Sequence, residues 1–233
     1  MDKANGREPL ALLGFRLSIS ELLGWSCNMA CAHCCFSATH EGEDMTLETF
    51  NAALALAASR GDYLTLGGGE PTVHPKFFEF LGLALANNAL YGEMPILVVT
   101  NGKRKEMALK LAAMAKQGML NVDLSRDDYH DPIANEVVVA FTKKQSYSRD
   151  SHDHDYRGIR DTSDNLMAVG RAVEENLGGE DGCCCEDLLV APDGTLFSCG
   201  CKHTSLGTVY APEIPDAYCS SEGHNPESWL EAA

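Results

Sequence analysis

The sequence predicts an α/β fold: a parallel sheet alternating with helices over about residues 15–176, followed by a small C-terminal β-hairpin segment over 177–233. Three observations predict it. Between residues 15 and 124, short strand-like runs alternate with longer helical ones, a succession that implies right-handed crossovers between parallel strands. The length of 233 residues suits one full-sized domain with an appendage. Near the C-terminal end, residues 187–191, Pro192-Asp193-Gly194 and residues 195–198 spell strand, turn, strand.

Residues 15–22 alternate apolar and polar side chains and read as the first strand. Residues 46–59 form an Ala/Leu-rich helix, and 63–66 a short strand stopped by Gly67, Gly68 and Gly69. The next helix spans 75–88, with Pro75 near its start, where a missing N–H costs nothing. Residues 95–100 are an apolar strand halted by Asn101-Gly102; 103–117 are a helix closed by Gly118, and 121–124 a fourth strand. Residues 136–141 read as one more strand. Residues 142–162 are polar and aperiodic, a loop or lid in which His152 and His154 read as exposed, and 163–176 read as a helix. The tail from Pro212 reads as irregular, and no internal repeat is present.

Composition narrows the function classes. Hydrophobic residues make up 45% and charged residues 22%, as in an ordinary globular protein, and no apolar run approaches the roughly 18 residues of a membrane span. With 18 Lys and Arg against 34 Asp and Glu, the net charge of −16 repels a phosphate backbone, which disfavours nucleic acid as a partner. The first residues lack the basic and apolar regions of a secretory signal, so a cytoplasmic, reducing compartment is expected. There the ten cysteines are better read as metal ligands than as disulfides.

Their placement carries the chemistry. Cys27, Cys31 and Cys34 follow the first strand at i, i+4 and i+7, one side of a helical turn, so their sulfurs can converge. Three readings compete: a buried helix face, a structural zinc completed by His33 or Cys35, and an iron–sulfur cluster on three thiolates, whose fourth iron then has no protein ligand.

With Gly68-Gly69-Glu70-Pro71 after the second strand, this motif resembles that of the radical S-adenosylmethionine (radical SAM) superfamily. Each motif stands at the carboxyl end of a strand in a βα series, where such sites are built. The resemblance implies an abbreviated radical SAM partial (β/α) barrel. It also implies a [4Fe–4S] cluster on Cys27, Cys31 and Cys34, with an open iron that S-adenosylmethionine chelates. The glycines and Glu70 would lie along the methionine moiety, and His33, where the family usually has an aromatic residue, would touch the adenine through its backbone. Asn101 and Ser125 match positions that contact the ribose or carboxylate; read from the sequence alone, they are equally a helix-start turn and a capping serine. The implied chemistry is one-electron cleavage of the sulfonium to methionine and a 5′-deoxyadenosyl radical, fed by a flavodoxin- or ferredoxin-like electron donor.

The cysteines that flank the hairpin resemble the SPASM/twitch extension, which holds an auxiliary [4Fe–4S] cluster. Cys183, Cys199, Cys201 and Cys219 are the implied ligands, Cys184 and Cys185 remain open, and a zinc ribbon would use the same residues. Asp127 and His130 are the candidate catalytic residues. They crowd the end of the fourth strand with Asp123, Asp128 and Tyr129, where they could position a substrate or move a proton, or simply form a solvated acidic loop.

The expected function is radical modification of a peptide or amino-acid-like substrate. The alternatives are modification of a small molecule such as a sugar, nucleoside or nucleotide, and a zinc-binding interaction module. Only 26 residues precede Cys27, so peptide recognition is expected to need a separate partner.

Overall fold

Helices cover one face of a sheet whose other face stays half open, and this asymmetry places the site. In the computed structural model, the structure describes residues 18–60, 63–91, 95–142, 155–163, 166, 168–178, 187–198, 202 and 205–212. The strands are β1 (Ser18–Leu22), β2 (Tyr63–Gly67), β3 (Ile96–Thr100), β4 (Asn121–Ser125), β5 (Arg157–Arg160), β6 (Asp187–Val190), β7 (Thr195–Phe197), β8 (Ser205–Thr208) and β9 (Ala211–Pro212). They form one nine-stranded sheet in the order β5-β4-β3-β2-β1-β6-β7-β8-β9. From β5 to β6 every pairing is parallel; β7, β8 and β9 add antiparallel strands at the far edge.

The crossovers carry α1 (Leu47–Arg60), α2 (Phe77–Tyr91), α3 (Lys105–Lys116) and α4 (Asn135–Phe141). Strands β2 to β4 bury alternate residues, Leu64 and Leu66, Ile96 and Val98, Val122 and Leu124, each no more than 2% exposed. The period of two puts these six side chains on the helix-covered face. The intervening side chains are half-buried and line the inner face of a partial (β/α) barrel. Phe50 of α1 stacks on Phe80 of α2 at 4.3 Å, and Thr46 caps α1 by accepting from the Thr49 amide at 3.1 Å. His74 is spent inside the core, between the Met45 carbonyl and the Lys76 amide.

Three sequence expectations are corrected. Residues 136–141 belong to helix α4 rather than to a strand. Val137 and Phe141 are buried while Val139 is 62% exposed, so burial recurs every four residues instead of every two. The aperiodic 142–162 stretch contains strand β5, which pairs in parallel with β4; an edge strand with half-exposed faces has no hydrophobic alternation to read. In place of a helix over 163–176, the only helix among the described residues there is α5 (Arg171–Glu174), preceded by Gly170 at φ 60°.

The hairpin forms as expected, with Gly194 at φ 86° in its turn, but it continues the main sheet because β6 pairs with β1. Strands β8 and β9 were not expected. Residues 213–233, His152, His154 and the cysteines Cys183, Cys184, Cys185, Cys199, Cys201 and Cys219 lie outside the described residues.

Candidate active site

The three-cysteine segment leaves β1 and folds back on itself before reaching α1. Its two limbs are laced by backbone bonds from Trp25 N to Glu43 O (2.9 Å), Cys27 N to Thr39 O (2.7 Å) and Met45 N to Leu23 O (2.8 Å). The segment is a looped tip rather than the helical turn expected from i, i+4, i+7: successive turns, Cys34 N to Cys31 O and Ser37 N to Cys34 O, both 3.2 Å, reverse the chain instead. Convergence survives the change. Cys27 is 8% exposed and packs with Met29, Ala38, Cys31, Cys34 and Ile133 in one cluster.

Burial first, then the neighbouring Cys27 and Cys34 thiols and the Asp127 and Asp131 carboxylates, push the Cys31 thiol up to about 11. Burial likewise raises Cys27. Burial above all, and neighbouring negative charge after it, disfavour the thiolates of Cys27 and Cys31; a bound cation reverses that balance. N–H donors already face two of the sulfurs, from Met29 N to Cys27 (3.3 Å) and Ala38 N to Cys34 (3.4 Å), with the Asn101 amide 3.7 Å from Cys27. Such bonds stabilise thiolate sulfur in iron–sulfur centres. The residues present therefore fit a cluster.

The glycine turn after β2 is stitched to the base of this loop. Gly69 N donates to Gly24 O and Glu70 N to Ser26 O, both at 2.9 Å. A Cβ on Gly68 (φ 127°) would lie 2.5 Å from Gly24 O, and one on Gly69 2.3 Å from Ser26 O, so these two positions exclude side chains to let protein backbone approach. Gly67 has nothing within 4 Å of a built Cβ and is the open position of the three.

Glu70, 2% exposed, points its carboxylate at the end of β3. It accepts from Asn101 N (2.7 Å), Thr100 Oγ1 (2.8 Å), Thr72 Oγ1 (2.5 Å) and Thr72 N (3.2 Å). Burial pushes its carboxyl up, and these four donors pull the other way. The side chain thus ties β2 to β3, and what this turn presents toward a cofactor is backbone. Asn101 extends the tie to the cysteine loop through Asn28 Oδ1 at 2.9 Å. Lys103 adds a bond to Asn28 O at 2.9 Å and an ion pair with Asp131.

The end of β4 supplies a second cluster. Ser125 is half-buried at the last position of the strand. The Asp127 side chain, 1% exposed, accepts from His130 Nδ1 (2.6 Å) and Tyr129 N (3.0 Å) at one oxygen, and from Thr162 Oγ1 (2.9 Å) and His33 Nε2 (3.2 Å) at the other. Burial alone would raise the Asp127 carboxyl, but the bonds from His130, Thr162 and Tyr129 outweigh it and hold the group below its usual range. Burial lowers His33, with Asp127 opposing. The ligand atoms of His33, Asp127 and His130 lie within 4.8 Å of one another, and the His33 ring packs 5.0 Å from Tyr129 and 5.1 Å from His130. The structure thus joins the side chain of His33, whose backbone was expected against the adenine, to Asp127 and His130. Asp128 is exposed and Asp123 half-buried on β4.

Sequence reasoning missed Arg171. Its guanidinium donates to Cys31 O (2.8 Å) and Ala38 O (2.6 Å), and its amide to Cys34 O (3.0 Å). A Cβ on Gly170 would lie 2.4 Å from Cys35 O. The Gly-Arg pair inside a stretch read as helix was the available signal.

Comparison with known proteins agrees with this geometry. Over 95 residues the chain is 36% identical to the mycofactocin maturase MftC of Mycobacterium ulcerans (strain Agy99) and to that of Mycobacterium tuberculosis (strain ATCC 25618 / H37Rv). The match covers 39% of this chain and 24% and 23% of those proteins, so the chain aligns with about a quarter of their length. Among solved structures, BtrN in complex with AdoMet and 2-DOIA superposes with a TM-score of 0.58 at 14% identity, over 84% of this chain and 79% of that one. Native anSMEcpe with bound AdoMet and Cp18Cys peptide gives 0.54 at 15%, over 85% and 79%. These two likenesses show the fold. The family model described as the radical SAM superfamily matches residues 25–144, just over half of the chain. From the cysteine loop through α4, the chain belongs to the radical SAM superfamily, with a [4Fe–4S] cluster and S-adenosylmethionine as its cofactors.

Proposed function

We propose that this protein is a radical SAM enzyme that removes hydrogen from a peptide, with the cluster on Cys27, Cys31 and Cys34 and an auxiliary cluster on Cys183, Cys199, Cys201 and Cys219. The observation that carries the reading is the convergence of three thiols, Cys27 buried and Cys31 and Cys34 half-buried, beside a glycine turn at the carboxyl ends of β1 and β2. The cofactors when bound supply a 5′-deoxyadenosyl radical, which takes hydrogen from unactivated carbon. The chain's own residues do the rest. Gly67 leaves room at the turn for the methionine moiety, while Glu70 and Asn101 hold the turn and the cysteine loop in register. Ser125 and the His33 backbone line the place of the nucleoside. Asp127 fixes the two imidazoles, and His130 accepts or returns a proton at its ring during substrate oxidation.

The peptide part is supported by the identity with the mycofactocin maturases. A perdeuterated cell extract separated into peptide and small-metabolite fractions tests it, with dithionite as reductant. 5′-Deoxyadenosine carrying deuterium is expected from the peptide fraction. Deuterium transfer from the metabolite fraction alone overturns the peptide substrate, and no 5′-deoxyadenosine with either overturns the radical reading.

A further inference from the structure

On the side of the cysteine loop facing the hairpin lies a cavity of about 460 Å³, which the proposed chemistry does not use. One wall is the outer limb of the loop, with Trp25, Phe36, Glu41 and Glu43; the other is the β6–β7 turn region, with Asp193, Phe197 and Lys202. The volume is in the range of ligand sites, roughly 300–1,000 Å³, and the cavity opens widely to solvent. The wall is preformed. Gly42 sits so close to Trp25 and Ser26 that a Cβ would lie 2.1 Å from their backbone, and Ser26 Oγ donates to Gly42 O at 2.9 Å.

Its chemistry has a sign. Among the described lining residues, Glu41 and Glu43 present exposed carboxylates against one ammonium, Lys202, while Asp193 adds a third negative charge whose oxygens accept from Thr195 N (2.8 Å) and Thr195 Oγ1 (3.0 Å). The aromatic floor is built for the same sign of charge: Trp25 and Phe36 pack at 5.9 Å, and Lys202 Nζ stands 4.6 Å above the Trp25 ring, the position of a cation on a π face. An anion entering here meets like charges; a cation meets the Glu41 and Glu43 carboxylates and an indole face whose occupant can leave on a flexible stem.

We propose that this cavity is the subsite for an arginine or lysine side chain of the peptide substrate, which displaces Lys202 from Trp25. The inference rests on the peptide reading above. The cavity is walled by the cysteine loop itself, with Trp25 two positions before Cys27 and Thr39 O accepting from Cys27 N, so a side chain anchored there tethers the peptide at that loop.

The test is binding of a heptapeptide with a central arginine, and of the same peptide with neutral citrulline, to the reconstituted full chain. Trp25 emission is read in a Trp229→Phe background, since those are the chain's two tryptophans. The arginine peptide is expected to bind at least five-fold tighter. Glu41→Gln with Glu43→Gln should erase most of that preference, whereas Glu48→Gln with Glu106→Gln, away from the cavity, should leave it. Lys202→Met should tighten the arginine peptide several-fold. Equal binding of the two peptides, an equal loss in the distant double variant, weaker binding in Lys202→Met, or tighter binding of spermidine than of the arginine peptide would each overturn the proposal. 5′-Deoxyadenosine formation in the same preparation separates the two readings: present without an arginine preference, only the subsite fails; absent with the preference intact, the radical reading fails.

Discussion

Asp127 illustrates how much one side chain organises. Its carboxylate holds two imidazoles, a hydroxyl and an amide from the cysteine loop, the β4–α4 loop and the segment after β5. Asp127 and His33 are both held below their ordinary values. A lowered value means stability that is present above the unfolded pKa and lost as pH falls through the folded one. Urea midpoints should therefore drop as pH falls below about 6.5 for the histidine and again below about 4 for the carboxylate. Asp127→Asn should lack the lower step; an unchanged acid limb would show that the carboxylate is not held as described. Glu70 carries a different load. Glu70→Ala leaves the buried donors Asn101 N and Thr72 N without an acceptor, so it should cost roughly 2–4 kcal/mol in denaturant unfolding. At this scale the sequence was legible where residue type and spacing bring groups together: the structure clusters the three cysteines and sets His130 on Asp127, while Gly68 and Gly69 admit the backbone of Gly24 and Ser26. The imidazole of His33 and the guanidinium of Arg171 were not, because their partners lie 94 and 140 positions away.

Among the elements, α4 and α5 show what local pattern conceals. A run of three valines favours a strand by propensity, and only tertiary burial reveals the helix. Val139→Asp on the exposed face should change stability by about 0.5 kcal/mol or less, whereas Val137→Asp should cost about 3 kcal/mol or more by burying a carboxylate. A strand would make the two substitutions similar, because both residues would share one face. The start of α5 acts on the cysteine loop itself. Gly170→Ala introduces strain at φ 60° and a clash with Cys35 O, so iron retained after anaerobic reconstitution should fall at least several-fold. Arg171→Met should leave the fold intact and lower iron retention through loss of its two carbonyl contacts; full retention in both variants would show that α5 does not support the loop.

At the scale of the whole molecule, the βα alternation made the parallel sheet readable in advance, since hydrophobic period and glycine punctuation are local. Closure of that sheet onto the hairpin was not readable. The pairing of β1 with β6 joins residues 18–21 to 187–190, and nothing local in either strand names its partner. That pairing makes β1 an interior strand and sets the hairpin beside the cysteine loop. Truncation after Leu177 should uncover the β1 edge and yield aggregated protein; a soluble, monomeric truncation with native circular dichroism would show that the hairpin is dispensable to the sheet. Among the described residues, no helix is long and apolar enough to cross a membrane.

The central claim is that Cys27, Cys31 and Cys34 hold the cluster that cleaves S-adenosylmethionine. Anaerobic iron and sulfide quantification, paired with a dithionite-driven assay for 5′-deoxyadenosine, tests it most directly in the parent and in the Cys27→Ala, Cys31→Ala, Cys34→Ala triple variant. The account predicts about four fewer irons in the variant and 5′-deoxyadenosine from the parent alone. A colourless parent with stoichiometric zinc, or a variant that keeps its iron and its activity, would contradict it.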